Sequence, residues 1–186
     1  MKFRAFIAAK MGELPDLARF HSELKTLEPG VKTVDLCHLH VTLKFLGDTE
    51  ESLIPKLDDV MRSATGGIAP FTVRLHGSGI FPPKGNARVV WVGLDGTEPL
   101  AIIASRLEAS LQELGFEPEG RTFQPHLTLA RVKDRRASGP AIKLAEKYAT
   151  ADFGSVTVDR VLLKKSVLSP RGPTYTTILT SPLAYQ

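Results

Sequence analysis

Apolar and polar positions alternate along residues 2–9, where Phe3, Ala5 and Ile7 share one face, and this period of two predicts a strand. Over 13–28 the apolar residues Leu14, Leu17, Ala18, Phe20, Leu24 and Leu27 fall at helical spacing, and Glu28-Pro29-Gly30 closes the predicted helix. A strand is predicted over 39–46. An amphipathic helix follows over 50–64, carried by Leu53, Ile54, Leu57, Val60 and Met61. Residues 71–81 and 87–94 read as two strands joined by the turn-forming Pro82-Pro83-Lys84-Gly85-Asn86. The second half continues the alternation. A helix over 98–114 rests on Leu100, Ile103, Ala104, Leu107 and Leu111 and ends at Gly115. A strand over 126–131, a short helix over 140–150 and strands over 155–168 and 173–181 complete the chain, the last two separated by Ser169-Pro170-Arg171-Gly172.

One segment recurs. His40-Val41-Thr42-Leu43-Lys44 in the first half returns as His126-Leu127-Thr128-Leu129-Ala130-Arg131 in the second. Each copy sits on a predicted strand after a helix and a turn-rich segment, so an internal duplication with two similar lobes about a rough two-fold is the economical reading. No linker or low-complexity run divides the chain, and the connections are short, so residues 1–186 are expected to form a single bilobal domain.

Within a strand, positions i and i+2 share a face. His40 and Thr42 therefore project together, as do His126 and Thr128. Val41, Leu43 and Phe45, like Leu127 and Leu129, are expected to project into a core. Two such strands facing one another would set two imidazoles and two hydroxyls around one small volume. Imidazole gives and takes protons near neutral pH, so the pair can serve as general base and general acid, each worth roughly 10²–10⁴-fold. Threonine hydroxyls can donate to phosphoryl oxygens, and Arg131 or Lys44 could offset their charge. Strict alternation puts Arg131 on the core face, so it must lie beyond the regular strand, or past a bulge, to reach the cleft. Lys44 has the cleft parity, but a solvated strand lysine is an equal reading. A strained cyclic phosphodiester suits such machinery.

Composition narrows the setting. The chain is 42% hydrophobic with a formal charge of +4, which fits a polyanionic substrate without demanding one. A single cysteine, Cys37, points to a reducing cytoplasm, and the N-terminal apolar run stops at Lys10, too short for a signal peptide or membrane span. Metal binding is the competing chemistry, because His38-Leu39-His40 has His-x-His spacing. Yet no Asp, Glu or Cys accompanies His126 at ligand spacing. Cys37 has no obvious base, and no Gly-x-Ser-x-Gly elbow is present.

These motifs carry a resemblance. Arg4-Ala5-Phe6-Ile7-Ala8, His40-Val41-Thr42-Leu43-Lys44-Phe45-Leu46-Gly47, Gly79-Ile80-Phe81-Pro82, Arg88-Val89-Val90-Trp91-Val92-Gly93, Phe123-Gln124-Pro125-His126-Leu127-Thr128-Leu129-Ala130-Arg131 and Leu163-Lys164-Lys165-Ser166-Val167-Leu168 span nearly the whole chain. Together they resemble the 2H phosphoesterase superfamily, and within it the LigT-like RNA 2′,3′-cyclic phosphodiesterases, also called 2′-5′ RNA ligases. The segment Thr33-Val34-Asp35-Leu36-Cys37-His38 departs from relatives that often have a tryptophan, a proline and an asparagine there. The resemblance implies an α+β fold of two pseudo-symmetric antiparallel lobes with outer helices and a central cleft. It implies metal-independent hydrolysis of an RNA or nucleoside 2′,3′-cyclic phosphate to the 2′-phosphate, with no cofactor. His40 and His126 become the acid–base pair, His126 activating water and His40 protonating the departing oxygen. Thr42, Thr128 and Arg131 become phosphate binders. The expected partners are RNA ends or cyclic nucleotides, met by a monomer without a membrane.

Two other functions remain open. The same residues could run the reverse reaction, joining a cyclic-phosphate end to a 5′-hydroxyl. A non-catalytic RNA-binding module would instead rely on the basic residues Arg131, Lys133, Arg135, Arg136, Lys164, Lys165 and Arg171.

Overall fold

The computed structural model describes residues 1–12, 14–169 and 172–184. Strand β1 (Lys2–Lys10) buries Phe3, Ala5, Ile7 and Ala9 on its core face, as its alternation requires. It lies inside an antiparallel sheet with β3 (His40–Glu50) on one side and β8 (Arg160–Ser169) on the other. Strand β9 (Gly172–Pro182) forms the edge, giving the order β3-β1-β8-β9. The second sheet has the order β2-β6-β5-β4-β7. Its members are β2 (Val31–Thr33), β4 (Phe71–Phe81), β5 (Val89–Asp95), β6 (Leu127–Val132) and β7 (Asp152–Val158), again all antiparallel.

Four α-helices cover the sheets, their apolar stripes turned inward. α2 (Ile54–Thr65) and α3 (Glu98–Glu113) pack on β9 and β3, whereas α1 (Ala18–Lys25) and α4 (Ser138–Lys147) pack on β2 and β4. The two halves are interleaved. The first half runs β1-α1-β2-β3-α2-β4, yet β4 pairs with β5 and α1 covers the second sheet. The second half runs β5-α3-β6-α4-β7-β8, yet β8 returns to β1 and α3 covers β3. Each half thus completes the other's sheet, and one apolar core joins Ile7, Leu43, Leu57 and Leu107 to Phe20, Val90, Leu127 and Leu129.

Several boundaries move from those expected. The helix predicted over 13–28 is a 3₁₀ turn at Pro15–Leu17 followed by the shorter α1. The strand predicted over 155–168 is two strands in different sheets, divided at Asp159, where the Arg160 guanidinium donates to both carboxylate oxygens at 2.8 Å. β2 is a three-residue strand that no periodicity could reveal. Pro170 and Arg171, in the predicted final turn, lie outside the described residues.

Candidate active site

Both His-x-Thr segments lie where their strands border a single cleft of about 740 Å³, lined by His40, Thr42, His126, Thr128 and Arg131 among others. The same irregularity shapes both strands. Ala8 faces Thr42 while Ile7 faces Lys44, so Leu43 is an extra residue in β3. Trp91 faces Thr128 while Val90 faces Ala130, so Leu129 is extra in β6. Each is a β-bulge three residues after the histidine, and a bulge reverses the parity of everything beyond it. Leu43 and Lys44 are both buried, as are Leu129 and Ala130. The next residues, Phe45 and Arg131, then emerge on the cleft side.

Arg131 therefore reaches the cleft by the expected bulge. Phe45 follows the same geometry, which overturns its expected core position: it is 58% exposed and lines the cleft. Lys44 is corrected in the opposite sense. It lines the cleft but is only 3% exposed, so it is no solvated lysine, and its ammonium is engaged by protein groups. It pairs with Glu108 Oε2 on α3 at 2.9 Å and donates to the Glu117 carbonyl at 2.8 Å, tying the segment after α3 to β3. Burial pushes the Glu108 carboxyl up, but hydrogen bonds from Lys44, the Glu119 amide and Gln112 outweigh it and hold the group below its ordinary value.

The two imidazoles are oriented alike. His40 Nδ1 lies 2.8 Å from the His38 carbonyl oxygen, and His126 Nδ1 lies 2.9 Å from the Gln124 carbonyl oxygen. A carbonyl only accepts, so each Nδ1 carries its proton and each Nε2 is left for the cleft. Around them are aromatic side chains whose place in the site was not assigned from the sequence, although Phe6 and Phe81 belong to the motifs that carry the resemblance. Phe6 and Tyr175 flank His40 with ring centres 5.0 and 5.6 Å away, and Phe81 meets His126 edge-on at 5.1 Å. Phe6 left a trace in the sequence, as an aromatic on the otherwise polar parity of Arg4 and Lys10. Tyr175 left none beyond its place in a predicted strand.

Electrostatics distinguish His40. Burial pushes its imidazole below the ordinary histidine value. The His38 carbonyl opposes that shift, while the charges of Lys164, Arg131 and His38 add to it. Among the described residues no three His, Cys, Asp or Glu side chains are grouped to hold a metal ion, so His38 and His40 find no third donor of that kind. Arg131 lies in the cleft, Lys164 is buried beside His40, and Lys165 lies over the Phe3 ring. Arg171 falls outside the described residues. No described helix is long and apolar enough to cross a membrane.

The sequence model of the 2′-5′ RNA ligase superfamily matches residues 14–167. A Methanothermobacter thermautotrophicus protein named RNA 2′,3′-cyclic phosphodiesterase is 38% identical over 178 residues, covering 95% of this chain and 96% of its own. An Aeropyrum pernix protein of the same name is 36% identical over 163 residues, covering 87% and 92%. Among solved structures, TT0787 of Thermus thermophilus matches with a TM-score of 0.83 and 29% identity over 98% of this chain and 99% of that one. E. coli LigT complexed with 3′-AMP shares the fold, with a TM-score of 0.72 and 22% identity over 98% and 99% of the two chains. The two-sheet α+β architecture expected from the resemblance is the one found.

Proposed function

Because this chain belongs to the 2′-5′ RNA ligase superfamily, we propose that it hydrolyses RNA or nucleoside 2′,3′-cyclic phosphates to the 2′-phosphate, without a metal, through His40 and His126. One observation carries this: two imidazoles from separate strands, each with Nδ1 held by the carbonyl two residues earlier, line one cleft and so keep Nε2 for the substrate. The cyclic phosphate lies between them. The Thr42 and Thr128 hydroxyls and the Arg131 guanidinium bind its non-bridging oxygens and offset the charge that grows as phosphorus becomes five-coordinate.

A base must begin neutral and an acid protonated. The depressed proton affinity of His40 supports giving it the base role, the reverse of the order expected from the sequence. His40 Nε2 takes a proton from water as the water oxygen bonds to phosphorus. The P–O3′ bond breaks, and His126 Nε2–H protonates the departing 3′ oxygen. Solvent exchange then restores both imidazoles.

The interleaved topology supports an internal duplication within one bilobal domain, since each half lends a helix and a strand to the other. Both histidines come from one chain and Cys37 is an exposed free thiol, which supports a monomer working in a reducing cytoplasm. Ligation uses the same acid and base with a 5′-hydroxyl replacing water, and a joining assay on RNA halves distinguishes it.

The direct test is hydrolysis of a 2′,3′-cyclic nucleotide in excess EDTA, identifying the monophosphate formed. The 2′-phosphate is expected at an unchanged rate, and His40→Ala and His126→Ala should each lose about 10²–10⁴-fold. Full activity in both variants rejects the mechanism. Activity lost to EDTA and restored by zinc moves it to a metal at His38 and His40.

A further inference from the structure

A second cavity, of about 340 Å³, lies on the other side of His40 and shares that residue and Tyr175 with the main cleft. Its wall is basic: Lys10, His38, Arg160 and Lys164 line it, with the Thr177 and Thr180 hydroxyls, and no carboxylate among the described residues does. The strand register explains the grouping. Lys10 pairs with His40 across β1 and β3, Phe6 with Lys164 across β1 and β8, and Lys164 with Thr177 across β8 and β9. These are neighbours on one face of the first sheet.

Lys164 is the informative residue. Its carbon stem is buried, which leaves the residue 9% exposed, while its ammonium opens into the cavity with no hydrogen bond or ion pair among the described residues. A partly desolvated ammonium with no protein partner, facing a cavity lined by other basic groups, is a ready donor to an anion. The carboxylate that interacts with Lys10 from outside the pocket is Asp159, and both its oxygens accept from Arg160. Burial and the neighbouring Lys10 charge both disfavour the ammonium form of Lys164. An anion in this cavity would reverse that penalty.

We propose that this cavity is a second phosphate site, taking the 5′-phosphate of the nucleotide whose 2′,3′-cyclic phosphate occupies the main cleft, which in a longer RNA is the internucleotide phosphate. This rests on the cyclic-phosphate reading above and adds to it a preference for RNA ends over free cyclic nucleosides. His40 is the shared wall, so one ribose with phosphates on both sides would bridge the two cavities. Lys164 and Lys10 supply charge, and Thr177 and Thr180 supply directional donors.

The test is equilibrium binding, which does not depend on turnover. A nucleoside 2′-phosphate is compared with the matching nucleoside 2′,5′-bisphosphate. The bisphosphate is expected to bind roughly tenfold more tightly to the unaltered protein, the size of a single charge-assisted contact. Lys164→Gln and Lys10→Gln should each close most of that gap while changing 2′-phosphate affinity less. Lys165→Gln, on the opposite face of β8, should leave the gap intact. Equal affinity for the two ligands overturns the proposal, as does a gap that survives both substitutions or that Lys165→Gln closes equally. A 5′-phosphorylated oligonucleotide that fills the site only when added in trans also overturns it, by assigning the cavity to a second strand. If the gap behaves as expected but no cyclic phosphate is hydrolysed, the catalytic reading falls and the second site stands.

Discussion

The two motif strands share a plan and differ in what they do with it. β3 and β6 each present a histidine held by the carbonyl two residues earlier, a threonine, and a bulge at the next residue. Past the bulge they diverge. β3 buries Lys44 and turns Phe45 outward; β6 buries Ala130 and turns Arg131 outward. The histidines diverge with them. His40 is packed by Phe6 and Tyr175 and pushed down by burial and the nearby cations, whereas His126 meets the edge of Phe81. A repeated strand thus keeps the His-x-Thr arrangement and its held imidazole while freeing the next positions, one wall aromatic and the other cationic.

The sharpest way to break this comparison is to separate the histidines by the leaving group. A substrate whose departing 3′ atom is sulfur needs little help from an acid, so a variant without the acid should recover on it. On the natural oxygen substrate His40→Ala and His126→Ala should both fall about 10²–10⁴-fold. With the 3′-thio analogue His126→Ala is expected within about tenfold of the unaltered enzyme, and His40→Ala to remain crippled. Recovery of His40→Ala instead would return the base role to His126. The pH dependence carries the same sign. The acid limb of kcat/KM reports the free-enzyme base, so it should lie below the ordinary histidine value of about 6.5, and Lys164→Gln should move it upward.

Next in size is the cationic wall. Arg131→Met removes charge-assisted hydrogen bonds to the phosphate and should lower kcat/KM about 10–100-fold while leaving the unfolding midpoint nearly unchanged, because the side chain is exposed. A large loss of stability with little loss of rate would put Arg131 in the fold rather than the site. The buried counterpart behaves oppositely. Lys44→Met strands the partly buried Glu108 carboxylate and releases the Glu117 carbonyl, so stability should fall by about 2–3 kcal/mol in denaturant titration. An unchanged midpoint would mean that the ion pair carries no net stability.

How far the sequence foretold this follows from what leaves a mark in hydropathy. Paired imidazoles and threonines were legible because two-residue spacing on a strand fixes a shared face wherever the strand is regular. The amphipathic helices α2 and α3 were legible for the same kind of reason. A bulge is one extra residue and changes no composition, so its position had to be inferred. Arg131 demanded one, or an earlier end to the regular strand, because a buried arginine on the core face is costly, and the bulge is what is found. Phe45 demanded none, since an aromatic satisfies a core position equally well, and there the regular alternation misled. Lys44 does line the cleft, as its parity required, but it is buried against Glu108 rather than solvated. The break at Asp159 was invisible because β7 and β8 both continue the strand pattern while entering different sheets.

The smallest expected effect bears most directly on that reversal. A core phenylalanine cut to alanine costs about 3–5 kcal/mol, because the cavity left behind collapses only in part. A phenylalanine turned into a cleft costs the fold little, since its ring already meets solvent. Phe45→Ala is therefore expected to shift stability by less than about 1 kcal/mol. Its ring lines the cleft, so if the nucleoside of the proposed substrate stacks there, removing it takes away that surface. KM should rise about two- to fivefold, at the low end of base–aromatic stacking because one flank of the ring is open, and kcat should hold. A fall in stability of several kcal/mol with KM unchanged would place Phe45 in the core after all, and the bulge at Leu43 would then have no consequence for the site.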